Sequence, residues 1–246
     1  MLSKAQNKYI RSLSQQKYRE EYSLFTVEGD KIATEWLASQ EHIKTVVALP
    51  HWITQNQQLI ARHPEAEVIE AEEHQLQAIS NLQTANNVLL VVHKPVYERL
   101  LKFNDWCFVL DDIQDPGNMG TIIRIADWFG IKNIIASPGC VDFYNPKVVQ
   151  AAMGGHLRVA LHNSDLIILL KDAQVPVYAA VLDGDNIYSL NKPHKGYILI
   201  GNESKGISNQ LQQLATHKIT IPRIGGAESL NAAVSTGIIC ALLIKP

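Results

Sequence analysis

The chain has 246 residues, 46% of them hydrophobic and 19% charged, with a formal net charge of −2. Ordinary apolar content at near-zero net charge excludes a disordered chain, and the length suits one large or two modest domains with an ample core. The longest apolar stretch, Leu230 to Ile244, spans 15 residues and is broken by Asn231, Ser235 and Thr236, too short and too interrupted to cross a bilayer.

The N-terminus lacks the apolar core of a secretory signal, and Cys107, Cys140 and Cys240 lie far apart, so a reducing, cytoplasmic setting is expected. The overall charge argues against a nucleic-acid partner, but its distribution softens that objection. Residues 1–19 hold Lys4, Lys8, Arg11, Lys17 and Arg19 and no acidic residue, a local balance of +5. Residues 65–73 hold Glu65, Glu67, Glu70, Glu72 and Glu73 and no base.

In chain order, Phe25–Val27 reads as a strand, and Gly29 breaks it before a helical stretch through Ile32, Ala33, Trp36 and Leu37. Thr45–Leu49 is a second strand ended by Pro50, and the uninterrupted apolar run Val88–Val92 is a third. The charged stretch through Glu98, Arg99 and Lys102 marks a domain boundary near residues 94–104. Beyond it, strands are predicted at Cys107–Leu110, Asn133–Ala136, Val177–Leu182, Tyr197–Ile200 and Lys218–Ile221. Helices fall between them near 118–129, 146–153, 164–173, 208–215 and 230–244. Apolar strands alternating with helices predict an α/β fold around a mostly parallel sheet, with ligands bound in the loops at the strands' carboxyl ends.

Three such loops stand out. The first, Asp111 to Gly120, follows the strand at 107–110; Asn118 sits where a helix N-cap is wanted, and Arg124 interrupts the apolar run Ile122-Ile123-Arg124-Ile125-Ala126. A capped helix with a surface arginine would explain it, although arginine in an apolar run is rarely buried without a partner. The second, Gly201 to Ser208, follows the strand at 197–200. Its Gly201 suggests backbone passing close to a ligand, and Ser208 suits a cap. The third, Ile221 to Asn231, contains Pro222, the Gly225-Gly226 bend and Ser229 as an N-cap candidate, with polar Asn231 opening an apolar helix.

Other chemistries lack their signatures. Ile207 stands where a phosphate-binding loop needs lysine, and no Gly-x-Gly-x-x-Gly occurs. With no His-Glu-x-x-His, no Cys-x-x-Cys and scattered histidines, no metal site is expected; a Gly-x-Ser-x-Gly elbow is absent too.

Together and in this order, the three loops resemble the SpoU (TrmH-type) RNA ribose methyltransferases of the SPOUT superfamily. The motif Asn-x-Gly-x-x-x-Arg matches Asn118, Gly120 and Arg124, preceded by Asp115-Pro116; Gly-Asn-Glu-x-x-Gly matches Gly201, Asn202, Glu203 and Gly206. Ile-Pro followed by Ser-Leu-Asn matches Ile221, Pro222, Ser229, Leu230 and Asn231. The likeness covers about 105–246, and Thr26-Val27-Glu28-Gly29 resembles the accessory domain of many members. It implies an RNA-binding accessory domain over 1–95 and a catalytic domain over 104–246 carrying a deep trefoil knot, assembled as a homodimer. Knots otherwise run against the general rule for chain topology.

The resemblance further implies S-adenosylmethionine as methyl donor and a ribose 2′-hydroxyl of structured RNA as acceptor. Analogy with two-domain members favours rRNA over tRNA. Gly201, Ile221, Leu230, Leu199 and Asn202 would hold the cofactor; Asn118, Arg124, Glu203, Ser229 and Asn231 would form the catalytic and RNA-facing cluster. One departure is Ala152, aligned where many members carry a serine, so any RNA contact made by that hydroxyl is missing. Two other readings compete: an inactive RNA-binding or assembly protein of the same fold, and an RNA base methyltransferase. The intact Asn118, Arg124 and Glu203 favour an enzyme, and Ser-Leu-Asn favours ribose.

The chemistry suits these residues. An activated methyl group needs a nucleophile held in line, and positioning supplies roughly 7–11 kcal/mol when geometry is good. A ribose hydroxyl is a poor acid, so its proton is taken or its developing charge is stabilised. Arginine, with a reference pKa of about 12.5 or higher, is a reluctant base. A fixed guanidinium beside the emerging alkoxide and the neighbouring phosphate is the easier role.

Overall fold

The protein is described by a computed structural model over residues 2–97, 105–190 and 193–244. It forms two compact units, one of residues 1–96 with 142–157 and one of 97–141 with 158–246. The charged stretch through Glu98, Arg99 and Lys102 lies outside the described residues.

The first unit opens with α1 (Lys4–Ser12), whose N-terminus is closed by a reciprocal Ser3–Gln6 capping box. Then come α2 (Gln16–Tyr22), β1 (Leu24–Glu28), α3 (Asp30–Ala38), β2 (Ile43–Ala48), α4 (Pro50–Gln55), α5 (Gln57–Ile60), β3 (Glu67–Glu70), α6 (Glu73–Ile79) and β4 (Val88–His93). The sheet order is β1-β4-β2-β3, with β4 antiparallel to both neighbours and β3 parallel to β2. All five β1 residues are buried although β1 is an edge strand of the sheet, and Phe25 meets Trp36 edge-on at 5.4 Å.

Residues 142–157 belong to this unit, tied to it by a buried ion pair and by Tyr144 packing 4.8 Å from Phe25. Arg19, 1% exposed, donates through Nε and NH2 to Asp142 Oδ2 at 2.7 Å and through NH1 to the Leu13 and Ser14 carbonyls at 2.8 Å. One member of the basic N-terminal run is therefore neutralised internally. Lys4, Lys8, Arg11 and Lys17 remain exposed. In the same segment His156 is buried, its Nε2 donating to the Phe143 carbonyl at 2.8 Å while Nδ1 has no partner.

Burial pushes the His156 pKa down to about 4, outweighing the Phe143 hydrogen bond and the Asp142 charge, which raise it. The folded chain thus keeps this ring neutral, while the unfolded chain takes up its proton near pH 6.5. Stability should therefore fall as pH drops from 6.5 towards 4, by about 3 kcal/mol from this group, and level off below. Urea melts of the wild type and His156→Gln at pH 7 and pH 4 check this. Equal pH slopes in the two proteins would remove His156 from the account.

The second unit runs β5 (Trp106–Asp111), α7 (Pro116–Trp128), β6 (Asn133–Ala136), then, after the helix α8 (Pro146–Ala152) of the first unit, β7 (Ala160–Asn163), α9 (Leu166–Lys171), β8 (Val177–Asn186), β9 (Gly196–Gly201), α10 (Asn209–Gln212), β10 (His217–Thr220) and α11 (Ala232–Leu243). The six strands are all parallel in the order β10-β8-β9-β5-β6-β7. Strand alternation divides the core. Cys107, Val109 and Leu199 pack with Leu166, Leu170 and Leu211 of α9 and α10. Phe108 and Leu110 occupy the alternate positions and are fully buried, as are Ile122 and Ile123 of α7. The predicted strands and helices of this half appear with shifted ends; β7, with His162 and Asn163 in only four residues, gave no apolar run to read. The predicted 208–215 helix is one turn, Asn209–Gln212.

Candidate active site

The sheet order dictates where the first two motif loops meet. β5 and β9 are neighbours in parallel register, and their last pair is Asp111 with Gly201. Both loops therefore leave the carboxyl edge side by side, at the point where the chain switches direction across the sheet. Asp111 Oδ2 accepts from Ser208 N at 2.8 Å, tying the far end of the second loop to the strand that begins the first.

A hydrogen-bond relay joins all three loops. Asn231 Nδ2 donates to Asn118 Oδ1 at 2.7 Å, and Asn118 Nδ2 donates to Glu203 Oε1 at 2.8 Å. The amide orientations follow from helix capping. Asn231 Oδ1 accepts from Ala233 N and Val234 N, 2.9 and 3.1 Å away, so only its Nδ2 is left to face Asn118. Asn118 must then present its oxygen to Asn231 and its nitrogen to an acceptor, which the Glu203 carboxylate provides. A cap at the start of α11 thereby fixes the direction of every bond in the cluster.

Two capping expectations are corrected. The N-cap of α7 is Asp115, whose Oδ1 accepts from Asn118 N at 2.7 Å; Pro116 takes the first helical position and Asn118 the third. This frees the Asn118 side chain for the relay. The N-cap of α11 is Asn231, not Ser229, which makes no hydrogen bond among the described residues. Ser208 stands at the cap position of α10 without a side-chain bond.

The structure brings Asn118, Glu203 and Asn231 into contact; it does not bring Arg124 or Ser229 to them. Arg124 is exposed on α7 and has no hydrogen bond or ion pair among the described residues. Six residues beyond Asn118, it stands about 9 Å along the axis and about 120° around it.

Of the predicted cofactor residues, Leu199 is wholly buried against Val109 and Ile207, and Asn202 is occupied in shaping its own loop. Asn202 Nδ2 donates to the Asp112 carbonyl at 2.8 Å, its Oδ1 accepts from Ser204 N and Lys205 N, and its backbone pairs with Gly206. Gly201 is required for a different reason than ligand approach. A Cβ there would lie 2.3 Å from Gly206 C and Ile207 N, so the close backbone is the chain's own return. Ile221 is half-buried, and Leu230 is 48% exposed.

The third loop has the surface a nucleoside–amino-acid cofactor needs. In this loop Ile224 is fully exposed and Leu230 half-exposed, and among the described residues no backbone N–H of 223–230 donates a hydrogen bond within the chain. Exposed apolar side chains next to unpaired backbone donors fit a ligand with a flat apolar ring and polar edges. A cavity of about 280 Å³ at the opposite edge, lined by Asp105, Trp106, Phe129 and His194, contains no motif residue.

Sequence reasoning missed Asp112. It adopts a left-handed φ of +57°, its carbonyl receives Asn202, and a Cβ on Gly139 would meet its carboxylate at 2.5 Å. The acidic pair Asp111-Asp112 directly after a buried strand was the available signal.

The SpoU rRNA methylase family profile matches residues 105–241, and that of the MRM3-like substrate binding domain matches 4–90. The chain is 28% identical over 235 residues to the 23S rRNA (guanosine(2553)-2′-O)-methyltransferase RlmP of Bacillus subtilis, covering 93% of this chain and 92% of that protein. It also superposes on a putative RNA methyltransferase of the TrmH family from Porphyromonas gingivalis with a TM-score of 0.88 at 34% identity, over 99% and 98% of the two chains. An AdoMet-bound rRNA methyltransferase from Sinorhizobium meliloti gives 0.87 at 28% identity, over 99% and 96%. The three converging loops all fall inside the matched 105–241 segment, and this enzyme belongs to the SpoU rRNA methylase family.

Proposed function

We propose that the chain transfers a methyl group from S-adenosylmethionine to a ribose 2′-hydroxyl of rRNA. The observation that carries this reading is the Asn231–Asn118–Glu203 relay, which draws three distant loops into one polar cluster beside an exposed, unpaired backbone loop. S-adenosylmethionine, when bound, supplies a methyl group already activated on a sulfonium. Backbone and apolar atoms around Gly201, Ile221 and Leu230 would hold it; Leu199 supports that wall from the core. The relay keeps the Glu203 carboxylate and the Asn118 amide in one orientation, Ser229 and Asn231 hold the ribose and the third loop, and Arg124 stabilises the developing alkoxide. The ribosomal preference rests on the likeness over nearly the whole chain to the Bacillus subtilis 23S rRNA enzyme.

In this reading the enzyme is a homodimer. Exposed apolar side chains on and beside α7 and α11 support it, with Trp128 at 85% and Val234 at 53% exposure. Arg124 then reaches the relay of the partner protomer, which accounts for its exposure and its rotation away from Asn118. The C-terminal segment forms a deep trefoil knot; in support, α11 leaves the edge strand β10 yet packs on α7, the helix that follows central β5. Residues 1–95 bind RNA, supported by Lys4, Lys8 and Arg11, exposed and within an arc of about 60° on α1.

Purified protein incubated with labelled S-adenosylmethionine and separated rRNA and tRNA from cells lacking it should label rRNA at one nucleotide. The linkage following that nucleotide should resist alkali, because alkaline cleavage needs a free 2′-hydroxyl. Label on a base, or alkali-labile product, would reject the ribose assignment.

A further inference from the structure

Away from the relay, the first unit carries a continuous aromatic and basic surface with no assigned role. Tyr9 and Tyr22 approach to 5.3 Å between ring centroids, and Tyr22 stacks on Tyr18 at 6.1 Å and 19°. Lys44 donates to Tyr9 Oη at 3.1 Å and lies 5.3 Å over its ring. His93 and His42, both exposed, meet edge-on at 6.5 Å next to Lys44. Lys17 extends the row, 5.8 Å over Tyr18.

Two features set this surface apart from ordinary solvated side chains. Tyr22, at the centre of the group, is 39% exposed. The pKa of His93 is lowered by burial, by Lys44 and by His42, and Lys44 and Lys17 are exposed ammonium groups held against the tyrosine rings. The nearby acidic residues Glu20 and Glu21 lie on α2, and Glu20 is held by Gln16. Flat π-faces interleaved with exposed ammonium groups match unpaired nucleotides: bases stack on the rings while phosphates meet the ammonium groups.

We propose that Tyr9, Tyr18, Tyr22, His42, Lys44 and His93 form a platform that grips a single-stranded segment of the RNA substrate. The proposal rests on the RNA reading above and adds the surface and the kind of RNA it takes. Proteins of this type favour single strands because duplex bases are unavailable for stacking.

The test uses the full chain, a fluorescent single-stranded RNA of about 12 nucleotides, and a duplex of equal length. Tyr22→Ala should weaken single-strand binding roughly tenfold, and Tyr22→Phe, which keeps the ring, should not. Lys44→Ala should weaken binding and flatten the dependence on salt by about one ion. Thermal melts and S-adenosylmethionine affinity should match wild type, and methyl transfer should show a raised KM for RNA with kcat retained. Wild-type RNA binding by both alanine variants, or tighter binding of the duplex, would overturn the platform. If wild-type protein methylates no RNA yet Tyr22→Ala still loses single-strand binding, the platform stands and the enzymatic reading fails.

Discussion

Arg124→Ala should abolish methyl transfer, lowering kcat by at least about 10³-fold, while S-adenosylmethionine affinity stays within a few-fold and the thermal midpoint is unchanged. The expectation follows from where the residue sits. Its guanidinium is exposed on α7 with no partner among the described residues, so truncation leaves no buried carboxylate uncompensated and opens no cavity. Ile122 and Ile123, not Arg124, hold the helix to the sheet. The lost charge is therefore felt only when a developing alkoxide and RNA phosphate are present. Arg124→Lys should recover part of the rate if the charge alone matters, and little if the planar fork must span two oxygens. Calorimetry showing that cofactor affinity collapses in Arg124→Ala would instead make the arginine structural.

The fold of the second unit is largely legible because its strands are uninterrupted apolar runs: Cys107–Leu110 and Tyr197–Ile200 are buried on both faces and leave no ambiguity of period. Residues 142–157 are different. They join the first unit through contacts such as Arg19 with Asp142, 123 positions away, and Phe25 with Tyr144, which no local pattern announces. At the site, the residue types were legible and their arrangement was not. Asn118 reads as a cap because caps favour asparagine; Asp115, three residues earlier, takes that place and leaves the Asn118 amide free to bond Glu203 and Asn231. Gly201 reads in the sequence as backbone passing close to a ligand, whereas the atoms that crowd it in the structure belong to Gly206 and Ile207. Exposure separates Arg124 from the relay, a property of the folded surface that the motif spacing does not encode.

Asn118→Asp should be the most informative single-atom change. It replaces the Nδ2 that donates to Glu203 Oε1 at 2.8 Å with an oxygen, setting two carboxylates against each other. At an effective permittivity of about 20 the repulsion is about 6 kcal/mol, which one shared proton relieves. Activity at neutral pH should fall at least about 10²-fold, and it should climb as pH is lowered through the raised pKa of the pair, because the proton restores a donor between the two groups. Asn118→Ala, which removes the donor without adding charge, should be impaired without that acid-side recovery. The same variant tests whether Arg124 serves its own chain or the partner. After subunit exchange between Asn118→Asp and Arg124→Ala proteins, half the dimers are mixed. If Arg124 acts across the interface, each mixed dimer has one complete site, and about a quarter of wild-type activity returns. If it acts within its own chain, both sites of every mixed dimer lack one residue and the mixture stays inactive.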